Sequence, residues 1–404
     1  MSTECYRDWW PGPDASMVAL MGRSIGILED LADASGNAFR MNRRGYLFAT
    51  ADERRIDEWR RAGAQVGAHG GGPLREHARD DGRYVPSPAH GVQRSLDGAD
   101  LITDRSVIER FFPYLAPTVV AVLHARRCGW LSAQQLGMHL LETALSRGAR
   151  FVRGRLDGLE VRDGRIRAAR IDGVRIAIER VVIAAGPFTR DVGAMIGVDL
   201  PIECEPHQKV AFHDHLGAIP RDAPFLIWAD PQRIPWSETE RADLARSADA
   251  ELATSVFPPG AHGRPEGDGD AVLMLWGHAA RPAAATAALP SDPRYGEIVL
   301  RGWSSMIPAL RSYFTRLPRP AVDGGYYART PENRPLIGPL PVAGAFVVGA
   351  LSGFGIMAAC GAADLAARHV LGQPLAPYAP AFLPERYTDP AYQELMREMT
   401  SGQL

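Results

Sequence analysis

The sequence predicts an α/β protein in which a parallel-sheet domain is joined to a second, mainly antiparallel β-sheet domain. Three observations carry this. Val181-Val182-Ile183-Ala184-Ala185-Gly186 is a continuous apolar run, the pattern of a strand buried on both faces of a parallel sheet. Residues 322–372 read as strand, turn, strand, glycine loop and helix. Residues 36–128 and 199–329 are strand-rich and broken by Pro- and Gly-rich loops.

The chain opens abruptly and runs through Trp9-Trp10-Pro11-Gly12-Pro13 to Asp14, a residue suited to capping a helix with Met17, Leu20, Met21, Ile25, Leu28 and Leu31 on its apolar face. Residues 39–50 read as a strand pair, and 52–62 as an amphipathic helix with Ile56 and Trp59 inward. Ser132 and Gln135 have capping-box spacing for a helix reaching Gly148, with Leu136, Leu140 and Ala144 on its apolar side. Residues 150–154 look like a strand. Asp163-Gly164 and Asp172-Gly173 are hairpin turns that join residues 159–162, 165–171 and 174–179 into a three-stranded meander. The apolar run follows, and Gly186-Pro187 ends it where a helix begins near Thr189. Strands are predicted at 207–213, 224–228 and 271–278, with a charged helix near 237–247.

Residues 324–330 carry strand formers that stop at the turn Pro331-Glu332-Asn333, and the chain then re-enters an extended path until Pro339 and Pro341. An apolar strand over 345–349 leads into Ser352-Gly353-Phe354-Gly355 and a helix over 356–371 that ends in Arg368 and His369, with Gly372 beyond. The first half of that helix is small: Ala358, Ala359, Cys360, Gly361, Ala362, Ala363. A glycine loop and small side chains let backbone amides and the positive end of the helix dipole approach an anionic or electron-rich ligand closely. No charged residue occurs between Val342 and Ala363, enough to cross a bilayer, but the internal glycines and the Ser-Gly-Phe-Gly break predict a buried strand and helix instead. Ala350 stands where a G-x-S-x-G nucleophile elbow at Ser352 needs glycine. After residue 373 the chain is Pro-rich, then polar, and is expected to wrap over this domain.

The 404 residues suffice for two domains with real cores, and a net charge of −2 argues against nucleic acid as a main partner. Cys5, Cys128, Cys204 and Cys360 are scattered without a C-x-x-C pair and read as reduced thiols of a cytoplasmic protein; the N-terminus has no export signature. Lys209 is the one lysine, so an individual arginine is weak evidence of function.

The run Thr330-Pro331-Glu332-Asn333-Arg334-Pro335-Leu336-Ile337-Gly338-Pro339, followed by Gly349-Ala350-Leu351-Ser352-Gly353-Phe354-Gly355 and a small-residue helix, resembles the C-terminal flavin segment of the FAD-dependent D-amino-acid oxidase family. That family includes glycine oxidase, sarcosine oxidase and dimethylglycine dehydrogenase-like enzymes. The meander ahead of a strand ending in Ala-Ala-Gly is similar too, and the order of motifs extends the likeness over nearly the whole chain. The resemblance implies a Rossmann-like FAD-binding domain of residues 1–35, 129–198 and 330–404 and a substrate domain of 36–128 and 199–329. It implies oxidation of the C–N bond of a small amino acid or N-methylated amine by hydride transfer to flavin, with oxygen or another electron acceptor closing the cycle and no membrane span.

In that family a strand, a G-x-G-x-x-G turn and a helix precede the segment similar to Thr3–Arg7, and no G-x-G-x-x-G occurs here. The N-terminal β-α-β is therefore expected to be missing. A start codon placed late is the expected cause, because strands deprived of that neighbour expose unpaired backbone and apolar faces. The same departure supports an alternative reading, a remnant or binding subunit without bound FAD and without catalysis.

Through the T-x-x-x-R spacing from Thr3, the resemblance gives Arg7 the substrate carboxylate. Glycine-oxidase-like members carry their carboxylate arginine on the strand before the T-x-x-x-R-P turn. Aligning Thr330 puts Tyr327 there, with Arg329 on the same strand face as a substitute. Lys209 is the candidate for assisting oxygen, although the position resembling the oxidase lysine is Met274; on its own it reads as a solvated strand residue. Thr3, Val152, Ala185, Gly186, Arg334, Ser352, Gly353, Phe354, Gly355 and Ile356 are expected to hold the flavin. His213 and His215 share a strand face without a third ligand, so no metal site is expected.

Overall fold

A computed structural model describes residues 3–247, 249–286, 289 and 292–399. In chain order the strands are β1 (Cys5–Arg7), β2 (Tyr46–Thr50), β3 (Leu74–His77), β4 (Ala99–Ile102), β5 (Ala121–Ala125) and β6 (Cys128–Trp130). Then come β7 (Leu156–Arg162), β8 (Arg165–Ile171), β9 (Val174–Ala177), β10 (Val181–Ile183), β11 (Glu203–His213) and β12 (Phe225–Trp228). The last are β13 (Ala261–Pro265), β14 (Ala271–Leu275), β15 (Ala321–Arg329), β16 (Leu336–Pro339) and β17 (Ala345–Gly349). The helices are α1 (Ser16–Ala34), α2 (Arg54–Ala68), α3 (Arg105–Phe111), α4 (Ala133–Ser146), α5 (Thr189–Ala194), α6 (Glu238–Leu244), α7 (Tyr295–Trp303), α8 (Gly355–Leu371) and α9 (Pro390–Glu398).

The dominant layer is a nine-stranded sheet of order β15-β11-β14-β13-β12-β2-β5-β4-β3, antiparallel except at β12–β2 and β3–β4. Side chains alternate along each strand, so the register sorts them into two faces. One face bears Tyr327, Glu205, His207, Leu275, His262, Ile227, Phe48 and Leu123, related strand to strand by the pairs Glu205–Tyr327, Lys209–Leu275, His262–Leu275, Ile227–His262, Ile227–Phe48 and Phe48–Leu123. Val210, Met274, Leu226, Leu47 and Val122 lie on the other and join α7 in a large core. Helix α7 was not foreseen: it is only nine residues long, and all of them except Glu297 are buried.

A smaller three-stranded sheet has β10 and β17 parallel and β16 antiparallel to β17. Helices α1 and α8 pack against each other beside it, through Leu20, Met21, Ile25, Ala358 and Leu365. Their approach is set by Gly361, where a Cβ would lie 2.8 Å from the Leu20 carbonyl oxygen. Residues 352–371 are long and apolar enough to cross a membrane by length and composition alone. Met357, Ala358, Cys360, Ala362 and Leu365 are nevertheless buried against protein.

The meander forms as expected, β7-β8-β9, and both turns have positive φ at Asp and Gly, 53° and 68° at Asp163-Gly164 and 49° and 76° at Asp172-Gly173. Other expectations need correction. Residues 150–154 form no strand, and Val152 is 59% exposed. β10 is a sheet edge paired only with β17, which leaves Val182 44% exposed instead of buried on both faces. Within 39–50 only β2 is a strand. Ser132 caps α4 by accepting from the Gln135 backbone N–H, but α4 buries only Leu136, and Leu140 is exposed. Asp14 stands just outside α1 and accepts from the Ser16 N–H at 2.8 Å.

The C-terminal segment is pinned by charge. Arg386 and Glu332, each 2% exposed at the side chain, pair at 2.6 Å, and Tyr387 and Tyr392 donate to the same carboxylate. This holds α9 and the turn before it against the 330–334 loop.

Candidate active site

Above the first face of the large sheet lies a cavity of about 890 Å³. Its floor runs from Tyr327 and His207 through His262 to Ile227 and Phe48. Cys5 and Arg7 of β1 line it, Gly353, Phe354 and Met357 close one end, and Trp59 of α2 closes the other.

The end at α8 is built by a strained turn. Ala350 and Ser352 adopt φ of 54° and 46°, the left-handed region that non-glycine residues rarely enter, and this turns the chain from β17 into α8. α8 has no side-chain cap and no acidic residue in its first turn. Its amino end therefore presents backbone amides and positive dipole potential where Gly353 and Phe354 meet the cavity.

Arg7 is 5% exposed, with its guanidinium carbon 4.4 Å from the Trp10 ring centroid. Burial works against its charge, so a carboxylate beside it is favoured. On the floor, His207 stacks on Tyr327 and its Nε2 lies 3.5 Å from Glu205, whose carboxylate also takes Arg329 at 3.2 Å. Burial holds His207 below the usual histidine range against the opposing pull of Glu205, and raises Tyr327 to about 12. His262 is likewise drawn down to about 4 by burial.

The structure brings Thr3, Arg7, Tyr327, Arg329, Gly353 and Phe354 to this cavity and leaves the other expected residues outside its lining. Arg334 instead pairs with Asp14 at 2.7 Å, and its carbonyl accepts from Arg386. Ser352, Gly355 and Ile356 shape the turn and first helical residues behind Gly353 and Phe354. Ala185 and Gly186 follow β10, with Gly186 at φ +55° and open space over it. Lys209 is 3% exposed, so it is not a solvated residue; it shares the cavity-side face of β11 with His207 and stands near Asp323. Met274 faces the opposite core. His213 and His215 each turn Nδ1 to Asp270, at 2.7 and 2.9 Å.

Glu205, His207, His262 and Tyr46 were missed as cavity residues. Alternation in Glu205-Pro206-His207-Gln208-Lys209 is the one sequence signal that points two of them to one side.

The sequence matches the family model DAO, FAD dependent oxidoreductase, over residues 2–369. The chain belongs to this family of FAD-dependent oxidoreductases. No curated protein matches it in sequence comparison. Among solved structures it is similar to the L-proline dehydrogenase of P. horikoshii, at 19% identity and TM-score 0.71, covering 95% of this chain and 85% of that one. It is also similar to the iminodiacetate oxidase of Chelativorans sp. BNC1, at 16% identity and TM-score 0.66, covering 95% and 88%. The glycine oxidase of Geobacillus kaustophilus aligns at 17% identity and TM-score 0.65, covering 93% and 85%.

FAD is the cofactor of this DAO-family protein, and the residues present fit its ring-bearing half. The uncapped α8 terminus, the left-handed turn behind it and the adjoining cavity provide amides and room for a flat, electron-rich ring. They do not fit its adenosine diphosphate half in the same way. No G-x-G-x-x-G occurs in the sequence, Val152 is exposed, and Gly186, just after β10, is exposed with open space over it.

Proposed function

We propose that the protein oxidises the carbon–nitrogen bond of an amino acid or N-substituted amine. The observation that carries this is the convergence of Arg7, Tyr327 and the Glu205–Arg329 pair with the amino end of α8 on one cavity. Solved structures of similar fold, titled proline dehydrogenase, iminodiacetate oxidase and glycine oxidase, support the same substrate class.

When bound, FAD supplies the acceptor for a hydride leaving the carbon next to nitrogen. The chain supplies position and proton handling. Arg7 takes the substrate carboxylate, a charge-assisted contact strengthened by exclusion of water. The stacked Tyr327 and His207 rings form a wall against which the amine-bearing carbon rests. Hydride loss needs a neutral amine, and His207, kept neutral by burial, accepts the ammonium proton at Nδ1 while its Nε2 stays turned to Glu205, which steadies the imidazolium. In this reading residues 1–35, 129–198 and 330–404 carry the flavin and 36–128 and 199–329 the substrate. Lys209 lies near the site but outside the cavity lining, so turnover with oxygen and with an artificial acceptor should be compared directly.

The test is a visible spectrum of the purified protein with added FAD, followed by anaerobic addition of amines. Flavin bands that bleach support the reading; a soluble, colourless protein that takes up no FAD overturns it and favours the binding-subunit alternative. Arg7→Met should raise KM about 10- to 100-fold with a smaller effect on kcat, the signature of a lost carboxylate contact.

A further inference from the structure

The cavity runs well beyond the α8 end where the flavin ring fits, and its character changes along its length. Its polar end holds Glu205, His207, Tyr327 and Arg329 beside Gly353 and Phe354. From His207 on β11 to Phe48 on β2 the floor crosses four strand spacings, which at ~4.8 Å each come to about 19 Å. Along that path the side chains become aromatic and aliphatic. Tyr46 and Phe225 have ring centroids 4.4 Å apart, and beyond them stand Phe48, Ile227, Leu123 and Trp59. Trp59 and Ala62 come from α2, which packs on β3 and β4 and so covers the far end of the sheet. Arg55 and Glu58 pair at 2.8 Å at this end and leave little charge to meet a ligand there.

We propose that the substrate's amine-bearing carbon carries a large apolar, aryl-bearing substituent, which lies over the β12–β2 part of the sheet beneath α2. This inference rests on the amine-oxidation reading above and refines it. The carboxylate and amine remain at the polar end, where Arg7 and His207 stand. The substituent displaces water from the aromatic end, and the apolar surface it buries is the source of discrimination. A substrate with no side chain, such as glycine, leaves that end wet and gains nothing from it. Glu205 and Arg329 pair with each other at the polar end and Arg55 and Glu58 at the far end, so neither pair offers a lone counter-ion to a charged substituent.

The test uses the FAD-supplemented protein and two readouts. In the first, kcat/KM is compared for glycine and sarcosine against phenylalanine and 2-amino-4-phenylbutyrate, with both enantiomers of the chiral amines. The aryl-bearing amines should exceed glycine by about 10- to 100-fold. In the second, binding of unreactive acetate and 4-phenylbutyrate is measured by calorimetry, where 4-phenylbutyrate should bind at least about tenfold more tightly. Ala62→Trp fills the far end from α2 and should abolish both preferences; Trp59→Ala, which enlarges the same end, should shift the preference toward bulkier aryl groups and guards against misfolding of the first variant. Glycine or sarcosine oxidised as well as the aryl amines, with 4-phenylbutyrate no tighter than acetate, would overturn the inference while leaving amine oxidation standing. If no amine is oxidised but 4-phenylbutyrate binds selectively and Ala62→Trp removes that selectivity, the apolar end is upheld and the oxidation reading is what fails.

Discussion

His207 lies flat against Tyr327, with ring centroids 3.8 Å apart and planes 19° apart. They sit diagonally on adjacent strands, since Glu205 is the register partner of Tyr327 and Gly325 that of His207. The stack fixes the imidazole so that Nε2 stays within 3.5 Å of Glu205. His207→Phe keeps the stack and removes the proton acceptor, so it should lower kcat by roughly 10²- to 10⁴-fold and erase the acidic limb of the kcat/KM profile. A variant whose pH profile matches the parent would show that His207 only positions Tyr327.

Removing one half of the Glu205–Arg329 pair leaves the other half charged in a mostly enclosed place. Glu205→Gln should cost about 1–3 kcal/mol in urea unfolding. The double variant Glu205→Gln, Arg329→Gln should recover part of that loss, a positive coupling read from the double-mutant cycle. Strict additivity would show that the two side chains do not depend on each other.

The Glu332–Arg386 pair is more deeply buried, and two tyrosine hydroxyls converge on its carboxylate. Arg386→Met should therefore destabilise by about 3–5 kcal/mol, visible as a clear fall in Tm. Loss of the strap should also increase proteolysis after residue 384. A Tm unchanged within error would mean that the C-terminal segment contributes nothing to global stability.

Two buried histidines shape the acid response. Burial draws His262 down to about 4 and His124 to about 3. The folded chain then binds fewer protons than the unfolded one below the normal histidine value, so the stability these groups permit is intact above about pH 6.5 and is lost as pH falls, at roughly 1.4 kcal/mol per unit for each. Asp8, raised to about 7 by burial, acts in the opposite sense: its contribution is present at low pH and is lost as pH rises toward 7. His262→Gln should flatten the net acid slope between pH 6 and 4.5 by about one proton equivalent, measured by denaturant unfolding at several pH values. An unchanged slope would show that His262 charges in the folded state as readily as in the unfolded one.

Local rules made much of the fold legible before any contact was known. Asp-Gly turns give the meander because only residues tolerant of positive φ can make them. The small-residue run in α8 and its glycine entry read as a helix open to close approach by a ligand; at Gly361 the approach is made by α1 instead. The flavin segment, and with it the family, could be read from contiguous residues. The misses share one cause. A continuous apolar run does not say whether a strand has one neighbour or two, so β10 read as an interior strand; residues 150–154 read as a strand although no strand among the described residues pairs with them. Helix α7 was missed because its nine residues give too short a periodic window to stand out.

By itself the sequence placed most turns, strands and helices, which follow from neighbours a few positions away, and its resemblance to the family put Thr3, Arg7, Tyr327 and Phe354 among the candidate residues. Only the tertiary structure decided that Glu205 holds Arg329, that Arg334 is tied to Asp14, and that Phe48, Trp59 and Ile227 extend the cavity away from the polar end. These are contacts between residues far apart in the chain. Sheet order and register set them, and no local propensity encodes either.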